Sequence, residues 1–97
     1  MLKVCQKFNT NLCIENLYSD QEIPYIFQNI KHKNLKICFD YGHHNFLTPK
    51  FDIMKNFGEY VTVLHIHNNN GQTDEHLPMC FNIQLIYKIF CTFNYSF

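Results

Sequence analysis

Arginine, alanine and tryptophan are all missing from this 97-residue chain. Without arginine there is no planar donor fork for bidentate contacts to phosphate or guanine. Charge is modest as well, eight lysines against eight acids, for a formal net charge of zero. That balance disfavours a nucleic-acid partner, whose backbone rewards a basic face. Cysteines are odd in number, at Cys5, Cys13, Cys38, Cys80 and Cys91, and none forms a C-x-x-C pair. Neither a disulfide framework nor a thiolate zinc site is signalled, so a reducing cytoplasm is the simpler setting and the thiols read as small core hydrophobes. Met1, Leu2 and Lys3 lead into a polar stretch, and no apolar run is long enough for a signal peptide or a membrane span. No membrane partner is expected.

Apolar material is ample: the hydrophobic fraction is 46%, with ten Phe and six Tyr. Such a chain buries a core rather than staying disordered. Asn11 to Asn16 (NLCIEN) and Leu35 to Asp40 (LKICFD) are short apolar runs that end in a polar residue. Both read as buried parallel strands. Between them Ser19 and Glu22 stand at capping-box spacing, and Ile23, Ile26, Phe27 and Ile30 recur as one helix face does. Pro24 is tolerable only in or near the first turn of that helix. Tyr41 to Leu47 reads as a loop, after which Thr48 and Pro49 predict an N-cap with proline at the first helical position. Phe51, Met54 and Lys55 to Phe57 follow as a short helix that Gly58 ends in a left-handed turn. Tyr60 to His67 (YVTVLHIH) alternates like a third strand. Strands alternating with helices predict right-handed crossovers and a parallel α/β sheet. Met79 to Phe97 is apolar and aromatic, with helical spacing in its first half and a strand-like second half.

In a parallel α/β sheet, ligands bind at the C-terminal strand ends. Glu15, Asp40 and His65 fall there, one on each predicted strand. His43 follows Asp40 by three positions, and a turn at Asn68 to Gly71 would fold Asp74 and His76 back over the same rim. Nitrogen and oxygen donors without thiolate suit a divalent ion such as manganese, cobalt, magnesium or zinc. Any one such residue at a strand end is more often satisfied by solvent or hydrogen bonds; placement on three consecutive strand ends is what points to a metal.

The runs CIEN at Cys13 to Asn16, FDYGH at Phe39 to His43 and HIHNNNGQTDEHL at His65 to Leu77 fall in one order and spacing. Together they resemble the sugar phosphate isomerase/epimerase family of xylose isomerase-like TIM barrels, which is related to the barrel-shaped apurinic endonucleases. The resemblance covers residues 1–78 and implies a partial TIM (β/α)8 barrel, about strands five to seven with intervening helices, because a whole barrel takes about 250 residues. Residues 79–97 are expected to form a divergent apolar tail, such as a frameshift or a truncated reading frame would give. By the resemblance Glu15, Asp40 and His65 are metal ligands, with Glu15 also the catalytic acid/base. His43 matches a position that binds substrate in the isomerases and metal in the endonucleases. Asp74 and His76 match a pair that is metal-binding in the endonucleases.

Asn68 departs from the family, which usually has Asp there. The family's last strand also ends in a Glu that ligates metal and exchanges the substrate proton, whereas no Asp or Glu follows Glu75 here. The function implied is metal-dependent proton transfer on a ketose or sugar phosphate through an enediolate, by a truncated chain expected to be inactive alone because half of the acid/base pair is missing. Two other readings compete: an apurinic endonuclease-like metal hydrolase, which Asp74 and His76 suit and the missing arginine does not, and a non-catalytic remnant. Open sheet edges would favour self-association. His32 and His44 read as solvated residues, and His67 as a strand-end group that supports others.

Overall fold

Leu35, Ile37 and Phe39 point to one side of a strand by its two-residue period, while Lys36, Cys38 and Asp40 point to the other. In a computed structural model that describes residues 1–79, this strand is the centre of the sheet. The elements run α1 (Leu2–Lys7), β1 (Leu12–Glu15), α2 (Glu22–Asn29), β2 (Leu35–Asp40), α3 (Tyr41–Leu47), α4 (Ile53–Phe57), a 3-10 turn (Gly58–Tyr60) and β3 (Val61–His65). The three strands form an open parallel sheet in the order β1-β2-β3. This is the α/β arrangement expected from the alternating pattern. The expectations for residues 80–97 lie outside the described residues.

One face of the sheet is covered. Leu35, Ile37, Phe39 and Val61 pack with Ile23 and Phe27 of α2 and Ile53 of α4. Ile37 is wholly buried at the centre, and truncating such a side chain to alanine typically costs about 2–5 kcal/mol. Phe27 is 4.7 Å from Tyr60 and 5.7 Å from Phe57 between ring centroids, an aromatic cluster within this layer.

Register decides which side chains reach the other face. Ile37 pairs with Val61 and Asp40 with His65, so three steps along β2 match four along β3, with an irregularity after Ile37. In a regular strand His65 would share the helix-facing side of Val61. The one extra residue, a β-bulge, turns His65 to the face that carries Asp40.

Several local expectations fail. Tyr41 to Leu47 is helix α3, because the Asp40 side chain accepts from the His43 backbone N–H at 2.8 Å and caps a segment otherwise poor in helix formers. Thr48 and Pro49 do not start α4; Asp52 does, accepting from the Lys55 N–H at 2.9 Å. Gly58 is right-handed, φ −56° and ψ −30°, and continues into the 3-10 turn rather than ending the helix in a left-handed residue. No capping box forms at α2: its N-cap is Gln21, and Ser19 Oγ accepts from the Gln21 N–H instead. Leu2–Lys7, expected as a polar lead-in, is a short helix that buries Cys5.

Candidate metal centre

Glu15, Asp40 and His65 are the last residues of β1, β2 and β3, and the parallel register gathers them. His65 Nδ1 lies 3.4 Å from Glu15 Oε1 and 3.6 Å from Asp40 Oδ2. Donors of opposite strand ends therefore meet at one point on the C-terminal rim. Glu15 pairs in register with Cys38 rather than with Asp40, so it reaches the rim from slightly below.

Asp40 is held firmly. Its backbone N–H donates to Asn16 Oδ1 at 2.7 Å, and its carbonyl accepts from Asn16 Nδ2 at 3.0 Å. The Asn16 amide thus continues the β1-β2 ladder by one rung with a side chain, and both Asn16 and Asp40 are only 1% exposed. A carboxylate that deep is stable only with partners for its charge. One partner is the α3 N-terminus, through the His43 N–H.

His43 stands on the first turn of α3. Its Nδ1 is 3.0 Å from the Asn16 carbonyl oxygen, 3.3 Å from Glu15 Oε1 and 3.8 Å from Asp40 Oδ2, while Nε2 faces Asp74 Oδ2 at 3.4 Å. The turn at Asn68 to Gly71 does fold the following residues over the rim. Asn68 and Leu77 pair through two 2.8 Å backbone hydrogen bonds that close the loop. Within it Asn69 donates to the Gly42 carbonyl at 2.8 Å and its Oδ1 accepts from Asn45 Nδ2 at 2.7 Å, which ties the loop to α3. Asn70 accepts from the Gln72 and Thr73 N–H groups, and Gly71 takes the positive φ of 75°. His76 also has a positive φ, 53°, a backbone state that histidine visits more readily than most residues. Its Nε2 is 3.1 Å from Asp74 Oδ2. Desolvation, the largest single effect, pushes the Asp74 carboxyl up, but His76 and His43 together outweigh it and hold the group below its ordinary value.

All six residues singled out in the sequence, Glu15, Asp40, His43, His65, Asp74 and His76, lie in this one connected cluster. Two further groups belong to it that sequence reasoning set aside. His67 is buried, with Nε2 2.9 Å from Asp40 Oδ1 and its ring stacked on His76 at 3.9 Å. Cys38 gathers with Glu15 and His65, and burial first, then Glu15, Cys13 and Asp40, pushes its thiol up to about 11. Strand alternation was the available signal for Cys38, which shares a face with Asp40. For His67 there was none, since its position depends on the loop.

The donor set fits a divalent cation. Three groups of side chains have ligand atoms within 4.8 Å of one another: Glu15, Cys38 and His65; Asp40, His43 and His67; His67, Asp74 and His76. Among the described residues, both buried ring nitrogens of His67 lack a partner that meets hydrogen-bond geometry. Nε2 approaches Asp40 Oδ1 at 2.9 Å, which brings two potential ligand atoms together at the rim.

No family model matches the chain. Over 78 residues it is 32% identical to the uncharacterized protein MJ1614 of Methanocaldococcus jannaschii, an alignment that covers 74% of this chain and 30% of that protein. It is 27% identical over 90 residues to the uncharacterized protein MJ1311 of the same organism, covering 81% and 31%. The uncharacterized protein y4fM of Sinorhizobium fredii is 26% identical over 80 residues, covering 75% and 26%. The chain therefore spans under a third of the length of these curated relatives. The crystal structure of a D-tagatose 3-epimerase-like protein superposes with a TM-score of 0.73 at 24% identity, covering 98% of this chain and 41% of that one. The fold is accordingly a partial TIM barrel. No helix among the described residues is long and apolar enough to cross a membrane.

Proposed function

We propose that residues 1–78 are the metal-binding segment of a sugar or sugar-phosphate epimerase/isomerase, with residues 79–97 a divergent tail, working in the cytoplasm. The observation that carries this reading is the meeting of Glu15, Asp40 and His65 at the ends of three adjacent parallel strands, on a fold shared with an epimerase-like protein. A divalent cation held there, whether manganese, cobalt, magnesium or zinc, would supply Lewis-acid polarisation of a sugar carbonyl and its neighbouring hydroxyl.

The chain's own residues do the rest. Glu15 takes the proton from the carbon beside the carbonyl, and His43, on the first turn of α3 with Asp74 3.4 Å from its Nε2, orients a substrate hydroxyl. Asp40 is fixed by its Asn16 clamp and presents its carboxylate toward the rim. Returning the proton on the opposite face needs a second positioned acid/base group. None of the eight acids follows Glu75, so that group comes from outside this chain, either from a longer protein or from a second copy associating through the open edges of β1 and β3. No nucleic-acid partner is invoked, because the net charge is zero and arginine is missing.

Proton exchange on ketoses and ketose phosphates in deuterated water, with metal added, tests this. The 97-residue chain alone should show no turnover, while a chain extended by a strand ending in Glu should exchange and epimerise. An inactive extended chain with a folded barrel would refute the reading. Glu15-dependent turnover by the short chain alone would show that a second copy completes the site.

One observation favours a second reading, an apurinic endonuclease-like hydrolase. Asp74 and His76 stand 3.1 Å apart on the same rim, as a larger metal cluster for phosphodiester hydrolysis would need. Cleavage of an abasic-site duplex by the extended chain would favour it.

A further inference from the structure

We infer that Cys38 is a thiolate ligand of the cation held by Glu15 and His65, so that the centre favours zinc or cobalt over manganese or magnesium. This rests on the proposed metal centre and adds no further ion to it.

The sheet has two faces, and Cys38 is on the one away from the helices. Leu35, Ile37 and Phe39 join Ile23, Phe27 and Ile53 in the apolar core. By the two-residue period of a strand, Lys36, Cys38 and Asp40 point the other way. A cysteine packed as a small hydrophobe would belong with the first set. Cys38 is nevertheless only 6% exposed, and on its own face Glu15 and His65 bring ligand atoms within 4.8 Å of its sulfur.

Strand register brings these three residues together. Glu15 pairs directly with Cys38 in the β1-β2 ladder. On β3 the irregularity after Ile37 sets Val63 opposite Cys38 and His65 opposite Asp40. Cys38 thus lies one row beneath Asp40, about 6.6 Å down the strand by the rise of two residues, and Glu15 starts from that lower row. The longer Glu15 side chain reaches His65, Oε1 to Nδ1 at 3.4 Å, while the short cysteine stays below. Three adjacent strands therefore present an oxygen, a sulfur and a nitrogen to one another.

The distances suit a single ion. Nitrogen and oxygen donors stand about 2.0–2.2 Å from a tetrahedral zinc and sulfur about 2.3 Å, so neighbouring nitrogen and oxygen donors are about 3.3–3.5 Å apart. The 3.4 Å between Glu15 Oε1 and His65 Nδ1 fits that edge. Asp40 Oδ2, 3.6 Å from the same nitrogen, is close to it. The Cys38 sulfur, within 4.8 Å of both Glu15 and His65, brings the donors to four. It binds as thiolate, its proton passing to solvent. A soft thiolate beside an imidazole suits zinc or cobalt, whereas magnesium and manganese prefer shells of oxygen.

Cys13 provides the internal comparison. It precedes Glu15 by two residues on β1, one row further from the rim, and its sulfur is 3.5 Å from Thr62 Oγ1. It shares the face of Cys38 but stands with a hydroxyl rather than with the carboxylate and imidazole.

Cobalt(II) added to the full chain tests the thiolate by absorption spectroscopy, because thiolate-bound cobalt has an intense near-ultraviolet charge-transfer band that oxygen and nitrogen ligands do not give. Wild type and Cys13→Ser should show the band, and Cys38→Ser should lose it, with circular dichroism confirming its fold. Glu15→Gln/His65→Ala should lose the band together with the ion. X-ray absorption of the zinc-loaded wild-type chain supplies a reading that no variant's folding affects, and it should find a sulfur neighbour at about 2.3 Å beside oxygen and nitrogen. Cobalt bound without the band, or a zinc shell of oxygen and nitrogen alone, overturns the thiolate ligand and leaves the metal centre standing. A band that survives Cys38→Ser or the double variant comes from cobalt on other groups and overturns the proposal. No cobalt bound to wild type refutes the metal centre and the proposal together.

Discussion

Replacing Asn16 with alanine should cost far more than its place at a strand end suggests. The side chain makes two hydrogen bonds to the Asp40 backbone, accepting from its N–H at 2.7 Å and donating to its carbonyl at 3.0 Å, in a setting 1% exposed. Alanine removes both partners and leaves a buried N–H and a buried C=O unsatisfied, at about 1–3 kcal/mol for each such group. Water entering the truncated site recovers part of this, so a loss of about 2–4 kcal/mol is expected. With a urea slope near 1–2 kcal/mol per molar for a small domain, the midpoint should fall by about 1–4 M. Asn29→Ala is the control: it removes one exposed bond to the Tyr25 carbonyl and should change stability by less than about 0.5 kcal/mol. Urea unfolding followed by circular dichroism measures both. Equal, small losses for the two variants would refute the idea that Asn16 extends the β1-β2 ladder and aims Asp40.

Three other outcomes are expected. Burial lowers the pKa of His44 below its ordinary 6.5, against smaller raising effects of Asp52 and the Thr48 backbone; the unfolded chain then binds the proton first, so His44 favours folding above about pH 6.5. Stability should fall as pH drops from there toward the lower folded value, and His44→Gln should flatten that slope in pH-dependent unfolding. The Cys38 thiol, pushed up to about 11, should resist an aromatic disulfide reagent at pH 8, where about one part in a thousand is thiolate, and mass mapping should show Cys13 labelled before Cys38; equal rates for the two would contradict the burial of Cys38. Ile37→Ala, at the wholly buried centre of the sheet, should lower stability by about 2–5 kcal/mol in the same urea assay, and a loss under 1 kcal/mol would mean that the helix layer is not packed on β2.

Much of the frame was legible in the order of residues. LKICFD matched β2 from end to end because a fully buried strand has no ambiguity of face, and the polar residue closing each apolar run marked the rim. The helix α3 was not legible, since Gly42, His43, His44 and Asn45 are weak helix formers and only the Asp40 cap and the loop tied to Asn45 and Gly42 hold them in a helix. Nor was the bulge on β3, which alone decides that His65 faces Asp40; no residue type announces an extra position in a ladder. His67 looked like a bystander because its environment is built by groups far away in sequence, a glycine on α3 and a loop closed at Leu77.

The proposed function requires Glu15, Asp40 and His65 to act together on a cation. Calorimetric titration of the full chain with manganese(II), beside a Glu15→Gln/Asp40→Asn/His65→Ala variant, tests that most directly. Weak but measurable binding, above the micromolar range because the outer ligands and barrel walls are incomplete, should be present in the chain and absent from the triple variant. Manganese binding of unchanged affinity in a folded triple variant would contradict it.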